Sequence, residues 1–238
     1  MHRLQKHRHI LPILYFSDAG FPPYGTCTKE VLKDRLDKIF MWCFAQGCTH
    51  IVVACNAASS VLQPHDEVFW ENERAIQRII SIIRPTVAFM NQQAIASLHV
   101  IGGHRTIEGQ IYIQEGLMPH TAQAAQPLSA CIERGTVEGP EIDHILSQVL
   151  NPDSKHLLLA CTHYEVLTAD QLRVYMPLLE KVWYPSLCAY HYILKQFRFA
   201  QTYSGLESFT TGDPTNMHER AMNLFGITGL HPFTKIVL

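Results

Sequence analysis

The chain has 238 residues, 47% of them hydrophobic, enough for one large domain or two small ones. Its formal net charge of -2 and pI near 6.7 offer no basic face for nucleic acid or an anionic membrane. Its apolar runs are far shorter than a membrane span, and basic residues 1–9 lack the apolar segment of a secretory signal. Seven cysteines, an odd number without framework spacing, argue against a disulfide scaffold and for a cytoplasmic chain with reduced thiols.

In chain order, residues 13–16 read as a strand that leaves the core at Ser17-Asp18 for a turn-rich loop over residues 20–25. Thr28 is a candidate N-cap for a helix whose apolar face is Val31, Leu32, Leu36, Ile39, Phe40, Cys43 and Phe44, stopped by Gly47. Residues 51–54 form a buried strand, and Cys55-Asn56 opens a helix. Residues 79–83 read as a strand closed by Arg84-Pro85, residues 90–98 as a helix, residues 99–101 as a strand, and residues 104–112 as a loop after Gly102-Gly103. A helix over 140–150 precedes a buried strand over 157–160 and helices over 165–175, 186–197 and 216–225. Strands alternating with helices predict an α/β fold with a mostly parallel sheet.

Two segments match. Ile51-Val52-Val53-Ala54-Cys55-Asn56 and Leu157-Leu158-Leu159-Ala160-Cys161-Thr162 are each a buried strand, an alanine, a cysteine and a small polar residue opening a helix. In parallel sheets, ligands sit beyond the carboxyl ends of strands. A helix N-terminus offers free N–H groups and partial positive charge, which should shift a thiol toward thiolate from its usual pKa of about 8.5. Two such thiols facing one pocket can remove a proton from one face of a carbon and return one to the other. Either cysteine alone reads better as a small core residue, but the matched pair favours chemistry. His163, two residues from Cys161, leaves open a thiol hydrolase using a Cys–His pair; a metal site lacks the paired ligand spacing. No glycine-rich nucleotide fingerprint is present, so no cofactor is expected.

The strings Ala54-Cys55-Asn56-Ala57-Ala58-Ser59 and Ala160-Cys161-Thr162-His163-Tyr164 resemble the two cysteine motifs of the glutamate racemases. Tyr15-Phe16-Ser17-Asp18 followed by Pro23-Tyr24-Gly25 is similar to that family's substrate loop. Thr106 and Tyr112, Pro127-Leu128 with Glu133, and residues 210–214 fall in family order. In the related aspartate racemases a glutamate usually stands at the position of His163. The resemblance implies two three-layer α/β domains facing one another, residues 1–86 plus 189–238 and residues 87–188, with one cysteine from each at a shared pocket. It makes Cys55 the base toward the D-enantiomer and Cys161 the base toward the L-enantiomer. His163 would support Cys161, and Glu133 would face the site. Pro23, Tyr24, Gly25, Asn56, Ala57, Thr106 and Thr162 would line the amino-acid pocket. It further implies a cofactor-free homodimer acting on a small amino acid.

The chain also departs from the family. No Asp-Ser pair precedes Leu11, although the family opens on a strand ending in that pair, whose aspartate assists the first cysteine; residues 1–10 hold at best the tail of the following helix. That strand is an inner one, so its loss should leave a gap between neighbours with unpaired backbone groups. Ala57, Gly109 and Tyr184 replace residues that in the family are usually threonine, serine and aspartate. Two functions follow: an amino-acid racemase with glutamate as substrate, or a homologue that binds a small acid or a protein partner without efficient catalysis.

Overall fold

The computed structural model describes residues 13–62, 79–196, 206–225 and 232–238, and the account concerns these. Every ladder is parallel. One sheet has β1 (Ile13–Ser17) paired with β8 (Leu206–Thr210), which also carries β9 (Thr234–Lys235). A second joins β2 (Ile51–Val53) to β3 (Ile79–Ser81). The third contains β4 (Leu98–Gly102), β5 (Thr121–Ala124), β6 (His156–Ala160) and β7 (Lys181–Trp183), in the order β5-β4-β6-β7. The helices are α1 (Lys29–Ala45), α2 (Asn56–Ser59), α3 (Ile83–Met90), α4 (His104–Glu108), α5 (Ile111–Gln114), α6 (Gln126–Glu133), α7 (Pro140–Val149), α8 (Ala169–Tyr175), α9 (Pro185–Gln196) and α10 (Pro214–Phe225). The expected α/β class with parallel sheets is what forms. No helix among the described residues is long and apolar enough to cross a membrane.

The four-stranded sheet is covered on both faces, which is why its inner strands are continuous apolar runs. Alternate side chains of β6 point opposite ways. Leu157 and Leu159 enter a core with Leu128, Leu146 and Leu172 of α6, α7 and α8. Leu158 and Ala160 enter another with Ile83, Val87 and Met90 of α3 and Ala189 of α9.

The third core is built on α1. Thr28 caps this helix by accepting from the Val31 N–H, and Gly47, at φ +86°, takes the left-handed turn that ends it. Leu32, Leu36, Phe40 and Cys43 pack on Val53 and Ala58, with Leu14 and Phe16 of β1 on the same cluster. β1 and β2 thus share a core, yet no ladder joins them among the described residues. All five residues of β1 are only half-buried and Val52 is 37% exposed, whereas β4 is buried throughout.

Several boundaries differ from expectation. The strand at residue 79 ends at Ser81, and the helix expected over 90–98 lies earlier, as α3. Pro85 is its third residue, where the N–H a proline lacks has no helical partner anyway. The Ser81 hydroxyl receives the Ile83 N–H and helps start the helix. Residues 104–112, expected as loop, contain α4 and the start of α5. The helix expected over 165–175 is a 3-10 turn, Thr162–Val166, followed by α8, whose start is fixed by the Thr168–Gln171 capping box. The expectation for residues 1–10 and the end of the helix expected at residue 197 lie outside the described residues.

Candidate active site

Cys55 follows β2 as the N-cap of α2, and the N–H groups of Ala57 and Ala58 point at its sulfur. Cys161 follows β6 in extended conformation, and the N–H groups of His163 and Tyr164 point at its sulfur. The matched sequence contexts therefore fold into matched geometry. The charge of Cys161 acts on Cys55, and that of Glu133 on both. Each cysteine is partly exposed, unlike Cys43, Cys131 and Cys188, which are buried.

The expected shift toward thiolate is reversed. Surrounding protein atoms push Cys55 up to about 11, against the pull of the two N–H groups, and the negative charges of Cys161 and Glu133 add to the rise. Burial likewise raises Cys161, with the N–H groups of His163 and Tyr164 and the Ser129 hydroxyl opposing it. Desolvation outweighs a helix terminus only four residues long at Cys55, where few aligned peptide dipoles contribute.

Three side chains stand in a row. The Cys161 sulfur is 3.6 Å from His163 Nδ1, and His163 Nε2 is 3.5 Å from Glu133 Oε1 at the end of α6. Burial lowers the His163 pKa, the Glu133 charge raises it and Arg220 of α10 lowers it, with the net shift downward. The imidazole is therefore neutral near pH 7, able to accept a proton from the thiol.

On the β1 side, Tyr24 lies in a 3-10 turn, Tyr24–Thr26, and donates its hydroxyl to Asp18 at 2.7 Å. The charge of Cys55 raises the Tyr24 pKa further, beyond burial and Asp18. Arg35, Tyr24 and Thr211 all donate to the Asp18 carboxylate. Gly20 must be glycine here, because a Cβ would stand 2.3 Å from the Thr211 carbonyl oxygen. From α4, Arg105 donates to the main-chain oxygens of Tyr24 and Cys27, tying the turn to the four-stranded sheet's side of the molecule.

Asn56 is buried, and its Oδ1 accepts from the Tyr112 hydroxyl at 2.7 Å, while among the described residues its Nδ2 has no partner. An unpaired buried donor beside a thiol is costly unless a ligand fills it. Thr106, also buried, sits on α4, which packs on α2 and on the Tyr24–Thr26 turn. Ala57 is partly exposed one residue further into α2, Gly25 is in the turn against the Gln126 side chain, and Pro23 is exposed just before it. Thr162 opens the turn after Cys161. Hydrogen bonds and charge interactions link Cys55, Cys161, Glu133, His163 and Tyr24, with Ala57 through its main-chain N–H; Pro23 and Thr162 join by position alone.

Sequence reasoning missed Arg35, Arg105 and Ser129. The Ser129 hydroxyl lies 3.7 Å from the Cys161 sulfur. Nothing in its Pro-Leu-Ser-Ala-Cys surroundings marks it, since its partner is 32 residues away.

No family model matches the chain. It is 26% identical over 167 residues to the glutamate racemase of Ralstonia pickettii (strain 12J), covering 65% of this chain and 56% of that protein. It is 26% identical over 185 residues to that of Cupriavidus pinatubonensis, covering 71% and 65%. The chain thus spans less than two thirds of the length of these relatives. The crystal structure of the Francisella tularensis glutamate racemase in complex with D-glutamate aligns with a TM-score of 0.80 at 18% identity, covering 99% of this chain and 91% of that one. The chain is glutamate racemase-like in sequence and shares that fold.

Proposed function

We propose that the chain is a cofactor-independent amino-acid racemase that interconverts L-glutamate and D-glutamate in the cytoplasm, supplying the D-enantiomer for peptidoglycan synthesis. The observation that carries the reading is the pair of partly exposed thiols at the carboxyl ends of β2 and β6, held by matching N–H pairs and coupled to each other and to Glu133. The relatives' sequences and the D-glutamate complex of the Francisella tularensis protein support the substrate.

In this reading, Cys161 removes the α-proton of L-glutamate and Cys55 protonates the opposite face; the reverse reaction exchanges their roles. Glu133 draws the His163 proton to Nε2, leaving Nδ1 to take the thiol proton of Cys161 and generate the base. Both thiols are raised above their ordinary range, so each is a strong base once ionised and a ready store of a proton when it is not. The unpaired Asn56 Nδ2 is a donor for a substrate carboxylate, and Thr106 and Thr162 would add hydroxyls to the same pocket. The test is incubation of L-glutamate with the purified chain and no added cofactor. Optical rotation should decay to zero, and persistence of rotation without α-proton exchange into D₂O would leave only a ligand-binding homologue.

A further inference from the structure

We infer that Ser129 is a positioning residue for Cys161, its hydroxyl turning between Tyr164 and the sulfur as that sulfur gains and loses its proton. The inference rests on the reading of Cys161 as one of two bases.

The hydrogen-bond inventory forces the arrangement. Tyr164 is fully buried, and its hydroxyl proton goes to the Ala125 carbonyl at 2.7 Å. Its oxygen can then only accept, and Ser129 donates to it at 3.3 Å. The same Ser129 oxygen is 3.7 Å from the Cys161 sulfur. While Cys161 is a thiol, Ser129 donates to Tyr164 and can accept the S–H. Once Cys161 is a thiolate, the sulfur only accepts, and the Ser129 proton turns toward it. A long neutral hydrogen bond is exchanged for one to an anion, which is the stronger kind. A racemase needs Cys161 in both states within every turnover, and a hydroxyl serves both without moving its heavy atom.

Position and surroundings suit that role. Ser129 is 6% exposed on α6, so its side chain is held and no bulk water replaces it. The titratable groups acting on or beside Cys161 are His163, Glu133, Cys55, Tyr164 and Tyr112. None of these offers an uncommitted O–H donor: Tyr164 donates to Ala125 and Tyr112 to Asn56. Among the described residues, the side-chain hydroxyl whose charge interaction reaches Cys55 is that of Tyr24, which donates to Asp18. The device belongs to one thiol.

The experiment measures the pH dependence of iodoacetamide alkylation at each cysteine of the full chain, read by peptide mass spectrometry. It needs no turnover, so a chain without racemase activity still returns an answer on Ser129. Ser129→Ala should raise the Cys161 midpoint by about one pH unit, about a tenfold loss of thiolate below the midpoint. Ser129→Thr keeps the hydroxyl and should stay within about 0.3 unit of the parent. Tyr164→Phe removes the competing acceptor and should lower the midpoint by about half a unit. The Cys55 midpoint should move less than that of Cys161 in all three, through the charge of Cys161 alone. An unmoved Cys161 midpoint in Ser129→Ala, or an equal shift in Ser129→Thr, overturns the inference. If Ser129→Ala does not fold, Tyr164→Phe decides, and a midpoint that stays or rises there overturns it.

Discussion

Asp18 and Arg35 form a forked ion pair, with Nε 2.8 Å from Oδ2 and Nη2 bonded to Oδ1. The two side chains are 4% and 10% exposed, and Tyr24 and Thr211 add donors to the same carboxylate. With its lone pairs committed, Asp18 is not free to act on a thiol. It holds the Tyr24 turn against β1 and α1 instead.

Burial pushes the Asp18 carboxyl up, but Arg35, Tyr24 and Thr211 outweigh it and hold it below the ordinary carboxylate value. Its stabilising effect is therefore complete above about pH 4 and fades as pH falls through the lower folded value. Asp18→Asn should cost about 3–5 kcal/mol at neutral pH, because it leaves Arg35 buried and unpaired. Thermal melts of both proteins should show a wide gap at pH 7 that narrows below pH 4 (the ordinary value, about 3.9). A gap independent of pH would assign the loss to packing.

Changing Cys55 or Cys161 to serine should abolish full racemisation in both directions, since serine is far too weak a base near pH 7. Each variant should still act on the face its remaining thiol serves. A substrate that expels a leaving group after one deprotonation should react as the D-form with Cys55 intact and as the L-form with Cys161 intact. In the unaltered protein, Cys161 has His163 and Ser129 beside it, whereas among the described residues the donors at Cys55 are the main-chain N–H groups of Ala57 and Ala58. Proton exchange from D-glutamate should be the slower half-reaction, measured by NMR in D₂O; equal rates would show that Cys55 has an equivalent helper.

The Glu133 charge raises both thiols. Glu133→Gln removes it and should lower both alkylation midpoints by about half a pH unit, given its partial exposure. The same change frees the His163 tautomer, so exchange from L-glutamate should fall by about 10- to 100-fold while thiolate becomes more abundant. Opposite signs in the two measurements separate electrostatics from proton relay. A variant that loses neither exchange nor shifts a midpoint removes Glu133 from the site.

Thiol labelling gives a further check. Cys55 lies at about 11 and Cys43 is pushed by burial to about 12; Cys55 and Cys161 are partly exposed, as are Cys27 and Cys48, whereas Cys43, Cys131 and Cys188 are buried. Iodoacetamide should modify Cys55 and Cys161 before those three, with a rate still climbing above pH 9. Glutamate should protect both. Uniform labelling, or labelling indifferent to glutamate, would argue against a shared site.

The strand–cysteine units were legible because each rests on local order: a run of apolar residues long enough for one strand, then a cap position. α1 was legible for the same reason, with Thr28 and Gly47 at its ends. α3 was misplaced because Arg84-Pro85 looks like a stop, although proline is tolerated within a helix's first turn. β5 (Thr-Ala-Gln-Ala) and β9 (Thr-Lys) carry no apolar run and take their shape from neighbouring strands. The thiol shift was misjudged because a sequence shows the helix terminus beside a sulfur but not the protein packed around it. Arg35, Arg105 and Ser129 act on partners 17 to 81 residues away, contacts that only the folded chain creates.

The two sulfurs are mounted on supports of unequal stiffness. Among the described residues, β6 is bonded along both edges, to β4 and β7, while β2 is bonded to β3 alone, helped by Ser59 reaching the Val53 carbonyl. Amides of β2 should exchange with deuterium through small local openings, and those of β6 only through opening of the whole sheet. Catalysis by two opposed bases tolerates little error in the gap between them. On the two-base reading, ligands that brace β2 against α1 should therefore sharpen the site more than any that press on Cys161.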